Sequence, residues 1–327
     1  MKKISSPVIS AVLLALAPVA IGPAIAAPAV SAESAQSETD RINQWFDEKY
    51  EEQLKFSPIE QTMIGRKTDQ GLIDDFSDAG ADRELAWLRG AVAEMKSGFD
   101  YAKLSPEAKT SYDIWLYNLK QAEAGVPFRD HRYVLHQHNG LQSFFPTFLI
   151  NTHKVATEAD MTGFIQRLSG VGTALDQLLV RAQANAAAGT RAPRFAYEGV
   201  IDQSTKIISG APFDDGAPSA IWTATEEKLQ GLVDSGVVDD ARATVLREQA
   251  KAALTSTFAP AYQRIIDWYQ ADLPNTDATA KGVGALAEGQ DFYNYRLANQ
   301  TTTELTADEI HNLGLSEVAR LRGDMEA

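Results

Sequence analysis

Hydrophobic residues recur along most of this chain at intervals of three and four, which is the spacing of amphipathic α-helices. The longest such stripe lies in residues 160–188 and consists of Met161, Phe164, Ile165, Leu168, Leu175, Leu178 and Leu179. Alternating strand patterns are scarce, and only residues 131–150 and 194–201 are ambiguous between helix and strand. We therefore predict an all-α fold, a compact array of long amphipathic helices.

Start signals and a proline divide the helical pattern into elements. The stretches SPIE (57–60) and TATE (223–226) have the sequence of capping boxes, and each predicts the beginning of a helix. Residues 239–272 form one long helical pattern, which Pro260 is expected to kink or divide because it removes a backbone donor. No linker interrupts the pattern, so we predict one helical domain over residues 38–327.

The C-terminal segment has the best-defined helix start. Thr306 and Glu309 form a capping-box pair, and no glycine, asparagine or proline stop signal follows. Its apolar stripe consists of Ile310, Leu313, Val318, Leu321 and Met325. Such a stripe needs a covering surface, and two sources are open: earlier helices of this chain, or a continuation of the natural chain.

The N-terminus has the pattern of a secretory signal peptide: two lysines, an apolar run and small residues at a cleavage site. We predict a signal peptide over residues 1–26, with a second possible cleavage site at Val30-Ser31-Ala32, and a flexible spacer over residues 27–37. A membrane anchor is the alternative, but prolines interrupt the apolar run. We expect a secreted protein, in a bacterial periplasm, that has no membrane partner after cleavage.

Acidic residues dominate the charge of the chain. There are 44 Asp plus Glu against 30 Lys plus Arg, which gives a formal net charge of −14. Loss of Lys2 and Lys3 with the signal peptide moves this charge to about −16. Phosphate binding requires a basic face, so the balance argues against nucleic acid as a partner. The chain has no cysteine, which excludes disulfides and thiol chemistry.

Familiar catalytic motifs are missing from the sequence. The five histidines include no HExxH pair, the helical zinc motif. His136 and His138 form an HxH beside Asp130 and His131, which would bind a metal only if the fold brought these ligands together. There is no GxSxG and no phosphate loop, and the GxG at 170–172 lies inside a helical pattern.

Three pairs of adjacent aspartates, at 74–75, 214–215 and 239–240, lie near turns and helix starts. We interpret them as solvated turns or caps. A pair of carboxylates for glycoside hydrolysis stays open as a weaker alternative, because a sequence does not give the distance between two carboxylates.

Two unusual stretches, residues 136–153 and 284–325, resemble the signature region of the bacterial domain-of-unknown-function family 885. The matching positions of the second stretch are Gly289, Phe292, Tyr293, Leu297, Thr301, Thr302, Thr303, Leu305, Thr306, Glu309, Ile310, His311, Leu313, Gly314, Leu315, Glu317, Val318, Arg320 and Met325. Those of the first are Asn139, Gly140, Pro146, Phe148, Leu149 and His153. The resemblance covers most of the predicted mature chain.

The resemblance implies a fold and a function. The family is similar to zinc metallopeptidases, is mostly helical, and is about twice as long as this chain, with an HExxH-type motif beyond the region matched here. It therefore implies that this chain is the N-terminal portion of an exported, zincin-like peptidase and is inactive alone. Zinc is expected as the cofactor of the full-length family and a peptide as its substrate. We predict no catalytic residue and no metal ligand in this chain.

Substrate contacts are predicted from the polar residues of the second stretch. They are Tyr293, Arg296, Thr301, Thr302 and Thr303. Arginine suits a peptide carboxylate, and a tyrosine hydroxyl suits a developing oxyanion. Aromatic packing and a helix cap are the competing interpretation of the same residues. The alternative function is a non-catalytic helical binding or scaffold protein of the cell envelope.

Overall fold

The computed structural model describes residues 37–327 of the chain. The predicted signal peptide and the predicted spacer up to residue 36 lie outside the described residues. In the described part every regular element is a helix, and one isolated β-bridge pairs Ala211 with Pro218. The all-α prediction is therefore confirmed. Residues 38–327 form one compact unit.

Twelve α-helices follow one another in the described part of the chain. They are α1 (Glu38–Leu54), α2 (Pro58–Met63), α3 (Asp78–Gly98), α4 (Pro106–Gly125), α5 (Leu141–Asn151), α6 (Glu158–Ala187), α7 (Arg194–Ile207), α8 (Ala220–Asp234), α9 (Asp240–Ala253), α10 (Ala259–Asp272), α11 (Gly289–Thr301) and α12 (Ala307–Glu326). Both ambiguous stretches contain helix, in α5 and α7. None of these helices is long and apolar enough to cross a membrane.

Helix α6 runs through the larger of two hydrophobic clusters. Its predicted stripe is buried except for Ile165, which is half-buried, and helices α5, α8, α9 and α10 pack against it. A Cβ on Gly172 would lie 2.9 Å from the carbonyl oxygen of Thr257, so glycine allows a neighbouring segment to approach α6 closely. The GxG at 170–172 thus serves helix packing.

The segment predicted over residues 239–272 is helical with one irregularity. A π-helical turn over Leu254–Phe258 joins α9 to α10, so that Pro260 lies in the first turn of α10, where its missing N–H is tolerated. The hydroxyl groups of Thr255, Ser256 and Thr257 each donate to the backbone carbonyl four residues earlier. The prediction that proline divides this segment is confirmed.

Two predicted capping boxes do not form, although α2 does begin at Pro58 as predicted. Ser57 precedes α2, but its side chain makes no capping hydrogen bond, and the Ile59 N–H donates to Asp74 Oδ1 at 2.9 Å instead. The side chain of Ser219 caps α8, so that this helix begins earlier than predicted and Thr223 lies inside it. A distant carboxylate replaces the first cap, and an earlier serine replaces the second.

A buried arginine ties the segment between α2 and α3 to α6. Arg167 donates from Nε to the Leu72 carbonyl at 2.8 Å and from Nη2 to the Pro58 carbonyl at 2.9 Å. Its Nη1 lies 3.1 Å from Nδ1 of buried His153. Because a guanidinium only donates, Nδ1 is unprotonated and the Nε2–H donates to the Asp160 carbonyl at 3.2 Å. Burial lowers the pKa of His153 to about 4.

A smaller hydrophobic cluster joins α1, α3 and α4. Its buried members are Ile42, Trp45, Ala91, Met95, Leu104, Ala108 and Tyr112. The ring of Trp115 packs on this cluster, with its centroid 5.2 Å from that of Trp45. The rim of this cluster forms part of a cavity described below.

The C-terminal helices differ in how they are packed. Helix α11 contacts α4 and the 3-10 segment Val126–His131. Helix α12 begins with the predicted capping box, in which Thr306 and Glu309 each accept the other's backbone N–H. No residue of α12 is buried, and within the described part of the chain no earlier helix covers its stripe, apart from half-buried Ile310.

Candidate functional site

The predicted contact residues lie on α11 and in the turn that follows it. Glu288 (φ 52°) precedes the helix and Thr302 (φ 55°) ends it, and they are the two non-glycine residues with positive φ among residues 37–327. A β-branched residue is strained in this conformation because its Cβ crowds the backbone. Surrounding contacts must stabilise a residue in this strained conformation, and strained backbone conformations concentrate at functional sites.

A cavity of about 590 Å³ lies between α11 and the start of α12. Its lining residues are Val283, Gly284, Gln290, Tyr293, Asn294, Thr306, Ala307 and Asp308. The Tyr293 side chain is 42% exposed, and its hydroxyl has no partner among the described residues. Gln290 Nε2 donates to Asn294 Oδ1 at 3.0 Å on the next turn. This α11–α12 cavity offers hydroxyl, amide and carboxylate groups, which suit hydrogen bonding to a polar ligand.

Of the five predicted contact residues, Tyr293 is the one that lines this cavity. Arg296 is half-buried, and its guanidinium has no hydrogen bond or ion pair with any described residue. Thr301 Oγ1 donates to a carbonyl of the last helical turn at 2.9 Å, and Thr302 Oγ1 donates to the Thr301 carbonyl at 2.7 Å. The Thr303 hydroxyl lies 2.9 Å from that of Thr301. The threonines close the turn, and their role in substrate contact stays a prediction.

The other side of α11 faces a second cavity, of about 360 Å³, which we call the arginine cavity. Its lining residues are Ala81, Glu84, Leu85, Leu88, Ala122, Gly125, Val126, Arg129, Arg132, Arg181 and Tyr295. Tyr295 reaches this cavity because Gly125 has no side chain: a Cβ there would lie 2.6 Å from the tyrosine hydroxyl. A tyrosine two residues after Tyr293 therefore contributes to a different site.

The three arginines of this cavity are not equivalent. Arg129 Nη2 donates to Asp82 Oδ1 at 2.6 Å, and this contact raises the pKa of Arg129. Arg181 Nε lies 3.2 Å from Asp78 Oδ1. Arg132 has no side-chain hydrogen bond or ion pair with the described residues. The sequence did not predict this cluster, because Arg181 is on α6 whereas Arg129 and Arg132 follow α4. No spacing in the sequence indicates that these distant residues lie close together.

A third cavity, of about 270 Å³, lies beside the smaller hydrophobic cluster, and we call it the aromatic cavity. Its lining residues are Phe46, Tyr50, Gln53, Glu84, Trp87, Leu88, Trp115 and Asn118. The Trp87 Nε1–H donates to Glu52 Oε2 at 3.0 Å, which fixes the ring. The rings of Phe46 and Trp115 are nearly parallel, with centroids 6.3 Å apart.

Among residues 37–327, no group of three or more histidine, aspartate and glutamate side chains is arranged to hold a metal ion. The histidines around the HxH instead make separate contacts. His131 Nε2 donates to the Ala287 carbonyl at 2.7 Å, and its ring packs against Phe128 and Phe292. Burial lowers the pKa of His136.

Asp239 and Asp214 form a cap and a turn, as predicted, whereas Asp74 is half-buried and burial raises its pKa. Asp239 caps α9 by accepting the Arg242 N–H at 2.7 Å. Asp214 accepts backbone N–H groups of Gly210 and Gly216 in one turn, which lowers its pKa. Asp214 and Asp239 are therefore both bound to backbone N–H groups of their own turns.

The described residues form an all-α protein with one cavity between α11 and α12 and another beside Tyr295 of α11. The sequence profile of the family described as "Bacterial protein of unknown function (DUF885)" matches residues 58–327, and the chain belongs to this family. The resemblance seen in the sequence is thereby confirmed at the level of the family. A comparison with curated proteins found no match.

A solved structure shares the fold. The crystal structure described as "the putative lipoprotein from Colwellia psychrerythraea" is 19% identical to this chain, with a TM-score of 0.74. The match covers 89% of this chain and 51% of the other, so this chain spans about half the length of that relative. At this identity the likeness shows the fold alone.

Proposed function

We propose that this chain is the N-terminal helical portion of an exported, zinc-dependent, peptidase-like hydrolase, and that it supplies substrate contacts from α11. One observation carries the role of α11. Tyr293 and Thr306 lie 13 positions apart in the sequence, yet both line the α11–α12 cavity. The hydroxyl of Tyr293 has no hydrogen-bond partner among the described residues. The predicted signal peptide supports export, and the family resemblance supports the reaction class.

The described residues do not offer a ligand set for zinc, so we assign no step of the reaction to the metal in this chain. The contribution of this portion is positional. The Tyr293 hydroxyl donates a hydrogen bond to an oxygen that gains charge, and Arg296, which has no described partner, pairs with a substrate carboxylate. The polar walls of the α11–α12 cavity orient the peptide through its amide groups.

The test uses the product of the whole gene, purified with zinc and again after chelation, on a panel of short peptides. We expect hydrolysis that chelation removes and added zinc restores. Tyr293→Phe should lower kcat about tenfold or more, because one donor to the oxyanion is lost. Tyr117→Phe is the matched control, since Tyr117 is an exposed tyrosine on α4 outside the α11–α12 cavity.

Absence of metal-dependent hydrolysis across the panel would overturn this proposal. If the same protein folds cooperatively and binds peptides without cleaving them, the non-catalytic binding protein of the cell envelope becomes the better interpretation.

A further inference from the structure

The arginine cavity and the aromatic cavity adjoin along α3. Glu84 and Leu88 line both of them and lie one helical turn apart on the same face. We call the two cavities together the α3 groove. Their combined size suits a small molecule or a few residues of peptide rather than a folded partner.

One end of the groove presents an arginine without an ion-pair partner. Two of its three arginines are paired with aspartates, whereas the guanidinium of Arg132 has no partner among the described residues. Asn185 Nδ2 donates to the Arg132 carbonyl at 2.9 Å, which fixes the backbone that carries this side chain. A free guanidinium in a concave site of an otherwise acidic protein favours a carboxylate ligand.

The middle of the groove carries a negative charge. Glu84 makes no hydrogen bond or ion pair with the described residues, so its carboxylate is available to accept N–H groups of a ligand. Asp82 and Asp78 form ion pairs with Arg129 and Arg181. These three carboxylates repel an anionic ligand. They repel a phosphate, which carries about two negative charges, more strongly than a ligand with one carboxylate.

The other end of the groove is apolar and aromatic. Phe46 and Trp115 offer ring surface, and the indole N–H of Trp115 has no partner among the described residues. Leu88 continues the apolar surface towards the arginines. A ligand with an aromatic or aliphatic group would bury that group here.

We propose that the α3 groove binds a short peptide, with its C-terminal carboxylate at Arg132, its N–H groups at Glu84 and an apolar side chain in the aromatic cavity. A peptide combines these three features in one molecule. The choice of a peptide also rests on the proposed function, whereas the requirement for a carboxylate beside an apolar group rests on the groove alone.

Calorimetric titration of the purified chain with Ala-Ala-Phe, its C-terminal amide and 3-phenylpropionate tests this proposal without zinc and without hydrolysis. We expect the tripeptide to bind at least tenfold more tightly than the amide and than 3-phenylpropionate. Equal affinity for tripeptide and amide, or no binding of either, would overturn the carboxylate site. Tighter binding of 3-phenylpropionate than of the tripeptide would overturn the assignment to peptides.

Two arginine variants locate the binding. Arg132→Gln should weaken tripeptide binding at least tenfold, and Arg194→Gln should leave it unchanged. Arg194 is a matched control because its side chain also makes no hydrogen bond or ion pair with the described residues, but it does not line the groove. Equal effects of the two substitutions would overturn the proposal. Thermal unfolding of both variants verifies that they are folded. Failure of binding with intact zinc-dependent hydrolysis would leave the proposed function standing.

Discussion

At the scale of single residues, the fold depends on a guanidinium that is satisfied mainly by neutral acceptors. Burial lowers the pKa of Arg167 to about 10, so the side chain remains charged at neutral pH. Its hydrogen bonds fix the loop between α2 and α3, which contains Leu72, against α6. The charge is buried without an ion pair, and its cost is offset by hydrogen bonds from all three nitrogens of the guanidinium.

Arg167→Met should destabilise the protein by about 3 kcal/mol or more, because it leaves the buried carbonyl of Pro58 and the carbonyl of Leu72 without this donor. Arg264→Met is the control, since Arg264 forms an exposed pair with Asp176, which is expected to contribute less than about 1 kcal/mol. Guanidinium denaturation measures both free energies of unfolding. Similar losses would contradict the role of Arg167.

His153, which neighbours Arg167, should make the free energy of unfolding depend on pH. The pKa of His153 is about 4 in the folded protein against 6.5 for the free side chain, so between these values the unfolded chain binds a proton that the folded chain does not. Stability should therefore fall by about 3 kcal/mol as the pH is lowered from 6.5 to 4, with no further loss from this group below pH 4.

His153→Asn separates this effect from the carboxylates. Asparagine keeps an acceptor for Arg167 but does not titrate, so the variant should lose this part of the dependence of unfolding free energy on pH. Denaturation curves at a series of pH values measure it. An unchanged slope between pH 6.5 and pH 4 would contradict the protonation of His153 as its cause.

At the scale of elements, the turn after α11 contains strain that a glycine would relieve. Thr302→Gly should raise the free energy of unfolding by about 1 kcal/mol, since the left-handed conformation costs an L-residue roughly that amount. Thr303→Gly, at a position without positive φ, should lower it. Thermal unfolding distinguishes the two. A destabilised Thr302→Gly would show that the hydroxyl bond to Thr301 outweighs the strain.

The same elements show what sequence patterns could predict. The stripe of α6, the capping box of Thr306 and the division at Pro260 are local signals, and the structure confirms them. The predicted caps at Ser57 and Thr223 failed because a distant carboxylate and a neighbouring serine supplied better partners. Local pattern therefore predicts which segments are helical more reliably than which side chain caps each helix.

At the scale of the whole molecule, stability should be unevenly distributed. Helix α6 is surrounded by helices, whereas α12 buries no residue, and a helix of 20 residues alone is marginal in water. Hydrogen exchange should show amides of α12 exchanging about a thousandfold faster than those of α6, because α12 opens locally. Comparable protection would show that another surface covers α12 in solution.

Cavities are also properties of the whole molecule, which is why sequence reasoning found only part of them. Tyr293 stood within a recognisable motif and was predicted, but Arg132 and Trp115 carry no local signal of their shared groove. Their proximity follows from how α3, α4 and α6 pack, and packing is not encoded in any one window of the sequence. Likewise, only the structure shows that Tyr293 lines the α11–α12 cavity whereas Tyr295 lines the arginine cavity.

The contact between Gly125 and Tyr295 implies an epistatic pair. An alanine at 125 would place its Cβ 2.6 Å from the tyrosine hydroxyl, so it fits only when the ring moves or is replaced. The order of substitution therefore matters. A smaller residue at 295 first makes position 125 permissive, whereas the reverse order passes through a less stable intermediate.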